Sequence, residues 1–91
     1  MPNIKKIILL GGEPLLHPKL YEICIKIRNC YPSVQINIIT NGILLNKWNI
    51  EDYIKYQNIN VGFGITKYPD IDYSTIPPLN NIGYLSTRFL F

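Results

Sequence analysis

Ninety-one residues carrying nine Lys and Arg against six Asp and Glu bound the chain to one domain with a net charge of +3. The basic residues are scattered, so no stripe marks a nucleic-acid surface, and the apolar share of 47% excludes a chain disordered by composition. Lys5-Lys6 ahead of Ile7–Leu10 is too short for a membrane span or a signal-peptide core. Two cysteines, Cys24 and Cys30, do not make a secreted disulfide framework and point to a reducing cytoplasm.

Seventeen isoleucines bias the composition, so periodicity and punctuation carry more weight than β-propensity. The first strand is expected over Ile4–Leu10. Gly11-Gly12-Glu13-Pro14 follows it, two glycines permitting a sharp turn and Glu13 placing a carboxylate at the strand's carboxyl end. Parallel α/β folds build their sites at that end. The first helix is expected from Pro18, with Leu20, Ile23, Cys24 and Ile27 forming one apolar stripe, and Tyr31-Pro32 ends it.

The second strand is read as Val34–Thr40, closed by the turn Thr40-Asn41-Gly42. Asn49 is the expected N-cap of a second helix, Ile50–Tyr56, with Glu51 and Asp52 in its first turn. Trp48, Ile50, Tyr53 and Ile54 are its expected packing surface. Ile59–Thr66 alternates strictly, with Gly62, Gly64 and Thr66 on one face, so either another group comes close there or the strand bends. Beyond Pro69 the pattern is irregular, with room for one helical turn, and Ile82–Leu85 and Arg88–Phe91 read as the start of a fourth strand.

Strands separated by about 25–30 residues fit βαβ units, which makes the sheet parallel and the crossovers right-handed. The fold class is therefore α/β, a partial (β/α) barrel of about three parallel strands in the order one-two-three. Two helices lie on one face and the face bearing Gly62 and Gly64 stays open, because a closed barrel needs more strands.

Gly11 to Pro18 (Gly-Gly-Glu-Pro-Leu-Leu-His-Pro), followed by a strand ending in Thr40-Asn41-Gly42, resembles the radical S-adenosylmethionine (SAM) family. The resemblance is strong over residues 1–68, and 69–91 is an irregular tail. It implies a cofactor site for S-adenosylmethionine in which Gly11, Gly12, Glu13 and Pro14 hold the methionyl amino group. An ammonium suits close backbone carbonyls and a carboxylate. It further implies that Thr40, Asn41 and Thr66 lie near the cofactor. Lys67-Tyr68-Pro69 is similar to the family without an assigned role.

The resemblance also implies a [4Fe–4S] cluster in the intact domain, but the Cys-x₃-Cys-x₂-Cys motif that holds it is absent from this chain. Cys24 and Cys30 are six apart, do not share a helix face and follow the Gly-Gly-Glu turn rather than preceding it. No metal ligand is assigned. Cys24 reads as a small buried hydrophobe, Cys30 as a helix-end residue and His17 as a turn or cap residue.

Three function classes follow. The first is part of a radical SAM enzyme carrying the methionine end of the site. The intact protein would reductively cleave S-adenosylmethionine to a 5′-deoxyadenosyl radical, acting on an unknown substrate, while this chain alone is not catalytic. A missing N-terminal segment or a split-gene partner would then supply the cluster loop. The second is a cluster-free α/β binding module, separated from the first by the codons upstream of Met1. The third, a phosphatase-like fold, lacks the early aspartates that chemistry needs.

Overall fold

The computed structural model describes residues 4–85. Four strands, β1 (Lys6–Leu9), β2 (Gln35–Thr40), β3 (Val61–Thr66) and β4 (Ile82–Leu85), form one sheet. They lie in sequence order and every neighbouring pair is parallel. That is an arc of a (β/α) barrel. To the expected three strands is added β4, at Ile82–Leu85, where the sequence placed the start of a fourth; Arg88–Phe91 lies outside the described residues.

Two helices, α1 (Leu20–Cys30) and α2 (Ile50–Asn58), cover one face. Leu20 and Cys24 from α1 and Tyr56 from α2 pack on Ile36, Ile38, Val61 and Phe63 of the sheet. A second cluster joins Tyr53 of α2 to Leu45, Ile65 and two residues of the tail, Tyr73 and Ile76. The tail contributes no helical turn; it crosses the helix-covered side as an irregular strap and delivers β4.

Three helix details differ from the sequence reading. α1 starts two residues later than Pro18, after a one-turn 3₁₀ helix at Pro14–Leu16, and His17 Nδ1 accepts the Lys19 amide (3.1 Å). Its packed stripe takes in Tyr21 alongside Leu20, Cys24 and Ile27, and Ile23 is not part of it. On α2 the buried residues are Tyr53 and Tyr56, while Ile50 and Ile54 are exposed. The aromatic rings prevail because Tyr56 and Trp48 stack (5.3 Å between centroids) and both meet Phe63 edge-on. Asn49 does cap α2, in a reciprocal box with Asp52 (3.0 and 3.1 Å).

The opposite face is open. Ile8, Leu10 and Leu85 are exposed there, and a groove of about 550 Å³ runs along Asn37, Ile39, Gly62, Gly64 and Gly83. The groups that come close to the β3 glycines are neighbouring side chains. A Cβ at Gly62 would lie 2.8 Å from Asn37 Oδ1, and one at Gly64 would lie 3.0 Å from Ile39 Cδ1 and 3.4 Å from Leu85 Cδ1.

Candidate functional site

Parallel strands bring the loops after β1, β2 and β3 to one end of the sheet. Leu9 pairs with Ile38 and Thr40 with Ile65, which sets the loop after β1 beside the loop after β2. Gly11 turns the chain out of β1 with φ +104, a conformation that strains any residue with a side chain, whereas Gly12 has no such constraint. Among the described residues no atom lies within 4 Å of where a Cβ would stand on either glycine, so the backbone is open on that side.

Glu13 follows and its carboxylate is tied to both loops. Oε2 accepts from the Leu15 amide (3.0 Å) and the Thr40 hydroxyl (2.6 Å), and Oε1 accepts from the Asn41 amide (3.0 Å). Pro14 opens the 3₁₀ turn, where a missing N–H costs nothing. Thr40 is buried and its hydroxyl also accepts the Gly42 amide (3.1 Å). Asn41 Oδ1 accepts the Ile43 amide (3.0 Å), closing an Asx turn. Glu13, Thr40 and Asn41 are thus one hydrogen-bonded unit across 27–28 residues of sequence.

Thr66 is not part of that unit. It ends β3 opposite Leu85, on the open face with Gly62 and Gly64, while Thr40 lies on the helix-covered face with Ile65. The sequence reading grouped the two threonines; alternation along neighbouring strands separates them.

A residue the sequence did not single out completes this end. The Tyr73 hydroxyl donates to the Asn41 carbonyl (2.9 Å) and accepts from the Tyr68 amide (2.9 Å). Lys67 Nζ sits over the Tyr84 ring (4.4 Å to the centroid). The strap carrying Tyr73 is pinned by Asn46, whose Nδ2 donates to the Asp72 carbonyl (2.9 Å) and whose Oδ1 accepts from the Thr75 hydroxyl. Ser74 hydrogen bonding holds the Asp72 carboxyl below its usual range.

A carboxylate offers about four lone-pair sites. Among the described residues three are filled on Glu13, which leaves one acceptor, on Oε1, on the residue that directly follows the open backbone of Gly11 and Gly12. That set suits an ammonium group, which brings three donors and seeks carbonyls and a carboxylate. The residues do not fit an iron–sulfur cluster. Cys24 is fully buried on the packed stripe of α1, its thiol pushed up to about 11 by burial, and Cys30 is exposed at the far end of that helix. Among the described residues no group of three His, Cys, Asp or Glu is placed to hold a metal.

Residues 1–85 match the Radical SAM superfamily. The chain belongs to that superfamily. Curated relatives include a GTP 3',8-cyclase from Staphylococcus haemolyticus, 30% identical over 89 residues that make up 97% of this chain and 25% of the relative. A GTP 3',8-cyclase from Chlorobaculum tepidum is 41% identical over 46 residues, 50% of this chain and 14% of the relative. The chain thus spans a quarter or less of the length of these curated relatives. No solved structure matches. The family match runs past Tyr68 through the strap and β4, to residue 85.

Among the described residues no helix is long and apolar enough to cross a membrane.

Proposed function

We propose that this chain is the part of a radical SAM enzyme that holds the methionine end of S-adenosylmethionine. The observation that carries the reading is the Glu13 carboxylate, anchored by Leu15, Thr40 and Asn41 with one acceptor site spare, beside two glycines whose outer side is open. In this arrangement Gly11 and Gly12 offer backbone carbonyls to the methionyl ammonium, Glu13 offers charge, and Asn41 holds Glu13. When bound and reduced in the intact enzyme, S-adenosylmethionine supplies a 5′-deoxyadenosyl radical; the cluster that delivers the electron finds no ligand set among the described residues.

The reading extends to the cofactor and stops short of GTP. The matched segment bears the Gly-Gly-Glu and Thr-Asn-Gly turns, and no phosphate-cradling glycine-rich loop accompanies them. A second reading is a cluster-free module that binds through the same turns.

The test is an NMR titration of the chain with S-adenosylmethionine. Millimolar affinity is expected, because the amino group alone is held. Glu13→Ala weakens it by about 1.5–3 kcal/mol, the scale of a charge-assisted hydrogen bond. Gly12→Val abolishes it while the sheet's amide spectrum persists, since a side chain there meets no protein atom. Micromolar affinity of the chain alone would favour the cluster-free module, and unchanged affinity in both variants would refute the assignment.

A further inference from the structure

The proposed site rests on Glu13, and Glu13 rests on the Asn41 amide, so what orients Asn41 orients the site. The Asn41 side chain is spent on the Ile43 amide, and the residue's own carbonyl, in the next peptide unit across its Cα, is held by the Tyr73 hydroxyl (2.9 Å). The same hydroxyl takes the Tyr68 amide (2.9 Å), so one oxygen joins the loop after β3 to the turn after β2. The path runs Tyr68 amide, Tyr73 hydroxyl, Asn41 backbone (carbonyl to amide across its Cα), Glu13 carboxylate, and it spans the ends of three strands.

Gly42 shows that the contact is built. Its φ is +76, and an added Cβ would lie 3.0 Å from Tyr73 Cε1 and 2.9 Å from Ile65 Cγ2. The ring occupies the space that a side chain would fill. Tyr73 is itself buried, in a cluster with Tyr53, Leu45, Ile65 and Ile76, and Asn46 fastens the strap on either side of it, at the Asp72 carbonyl and the Thr75 hydroxyl. Its hydroxyl is therefore delivered to a fixed point.

We infer that Tyr73 is a positioning residue of the S-adenosylmethionine site, acting through the Asn41 backbone on the Glu13 carboxylate. The inference rests on the reading of this end as the cofactor end. It assigns a task to the strap between β3 and β4: the strap sets the angle of a carboxylate that lies sixty residues earlier in the sequence.

Tyr73→Phe keeps the ring and removes the hydroxyl. Tyr53→Phe is the control, since Tyr53 is another buried tyrosine of the same cluster whose hydroxyl donates to the Leu45 carbonyl, outside the chain of bonds to Glu13. Amide hydrogen exchange and S-adenosylmethionine titration are measured on the 91-residue chain and both variants. In Tyr73→Phe, exchange accelerates about threefold to tenfold at Tyr68, and also at Asn41 and Leu15, the two amides that Glu13 accepts. Affinity for S-adenosylmethionine falls by a similar factor, and Tyr53→Phe changes neither. Acceleration confined to Tyr68, or equal in both variants at Asn41 and Leu15, overturns the inference. If the unmodified chain shows no S-adenosylmethionine response, the proposed function fails, while the exchange pattern still decides whether Tyr73 holds Asn41 and Glu13.

Discussion

The two ends of the sheet are tied together in opposite ways. At the amino end, the single Arg28 guanidinium donates to five backbone carbonyls: Tyr31, Pro32 and Val34 ahead of β2, and Ile59 and Asn60 ahead of β3 (2.5–3.4 Å). Asn60 presents its carbonyl from a left-handed turn (φ 56), which asparagine tolerates. At the carboxyl end a carboxylate gathers N–H and O–H donors, and a phenol on a crossing strap holds the same turn from behind. A cation satisfying carbonyls closes the lower end, with every nitrogen of the guanidinium engaged. The carboxylate at the upper end keeps an acceptor free beside bare glycine backbone. In barrels of this kind the amino end serves stability and the carboxyl end serves chemistry, and here the sign of the tie follows that division.

Removing the lower tie should have the largest effect. Arg28→Ala leaves five carbonyls without their shared donor and is expected to cost about 3 kcal/mol in denaturant unfolding. The amide shifts of Gly11–Glu13 and Asn41 should stay in place wherever the variant is folded. Matching disturbance at both ends would erase the division.

The core between the ends gives the next effect. Burial raises the Cys24 thiol from its usual value near 9 to about 11, against a smaller opposing pull from Arg28. Between those values the unfolded chain has lost its proton and the folded chain has kept it, so stability falls as pH rises from about 9 to about 11. The loss is about 2–3 kcal/mol. Chemical denaturation across that range should show it, and Cys24→Ala should flatten the curve. Burial raises Tyr53 and Tyr56 as well, which prolongs the decline to higher pH in both proteins. A stability profile identical in the variant would contradict the assignment to Cys24.

Two glycines of the upper end sharpen the comparison within that end. Gly42→Ala forces a side chain into φ +76 against Ile65 and Tyr73, an expected cost of about 1–2 kcal/mol. Gly12→Ala meets nothing and should be close to neutral for unfolding while weakening S-adenosylmethionine binding. Thermal melts of the two variants separate a glycine required by the fold from one required by a ligand.

How much of this was legible in the sequence depends on range. The parallel order follows from the spacing of successive strands, and the capping of α2 by Asn49 and the alternation of β3 follow from residues a few positions apart; all are present. The packing face of α2 was misjudged because isoleucine is too abundant here to mark burial. Ile50 and Ile54 are exposed, and the rings of Tyr53 and Tyr56 carry the contact. Glu13, Thr40 and Asn41 were each visible as turn residues, but their union is a product of strand register. Tyr73 gave no periodic signal, since it lies on an irregular strap. The hint available was local: Asp72 and Ser74 form a turn that turns the segment back toward Gly42, a glycine in need of a neighbour.

The central claim is that the carboxyl end holds the amino-acid part of S-adenosylmethionine. It is tested most directly by comparing amide shifts of the chain with millimolar S-adenosylmethionine and with 5′-methylthioadenosine, which lacks that part. The account predicts shifts at Gly11, Gly12, Glu13 and Asn41 with the first compound and none there with the second, while the Arg28 end stays silent to both. Equal shifts at Gly11–Asn41 with the two compounds, or shifts at neither, would contradict it.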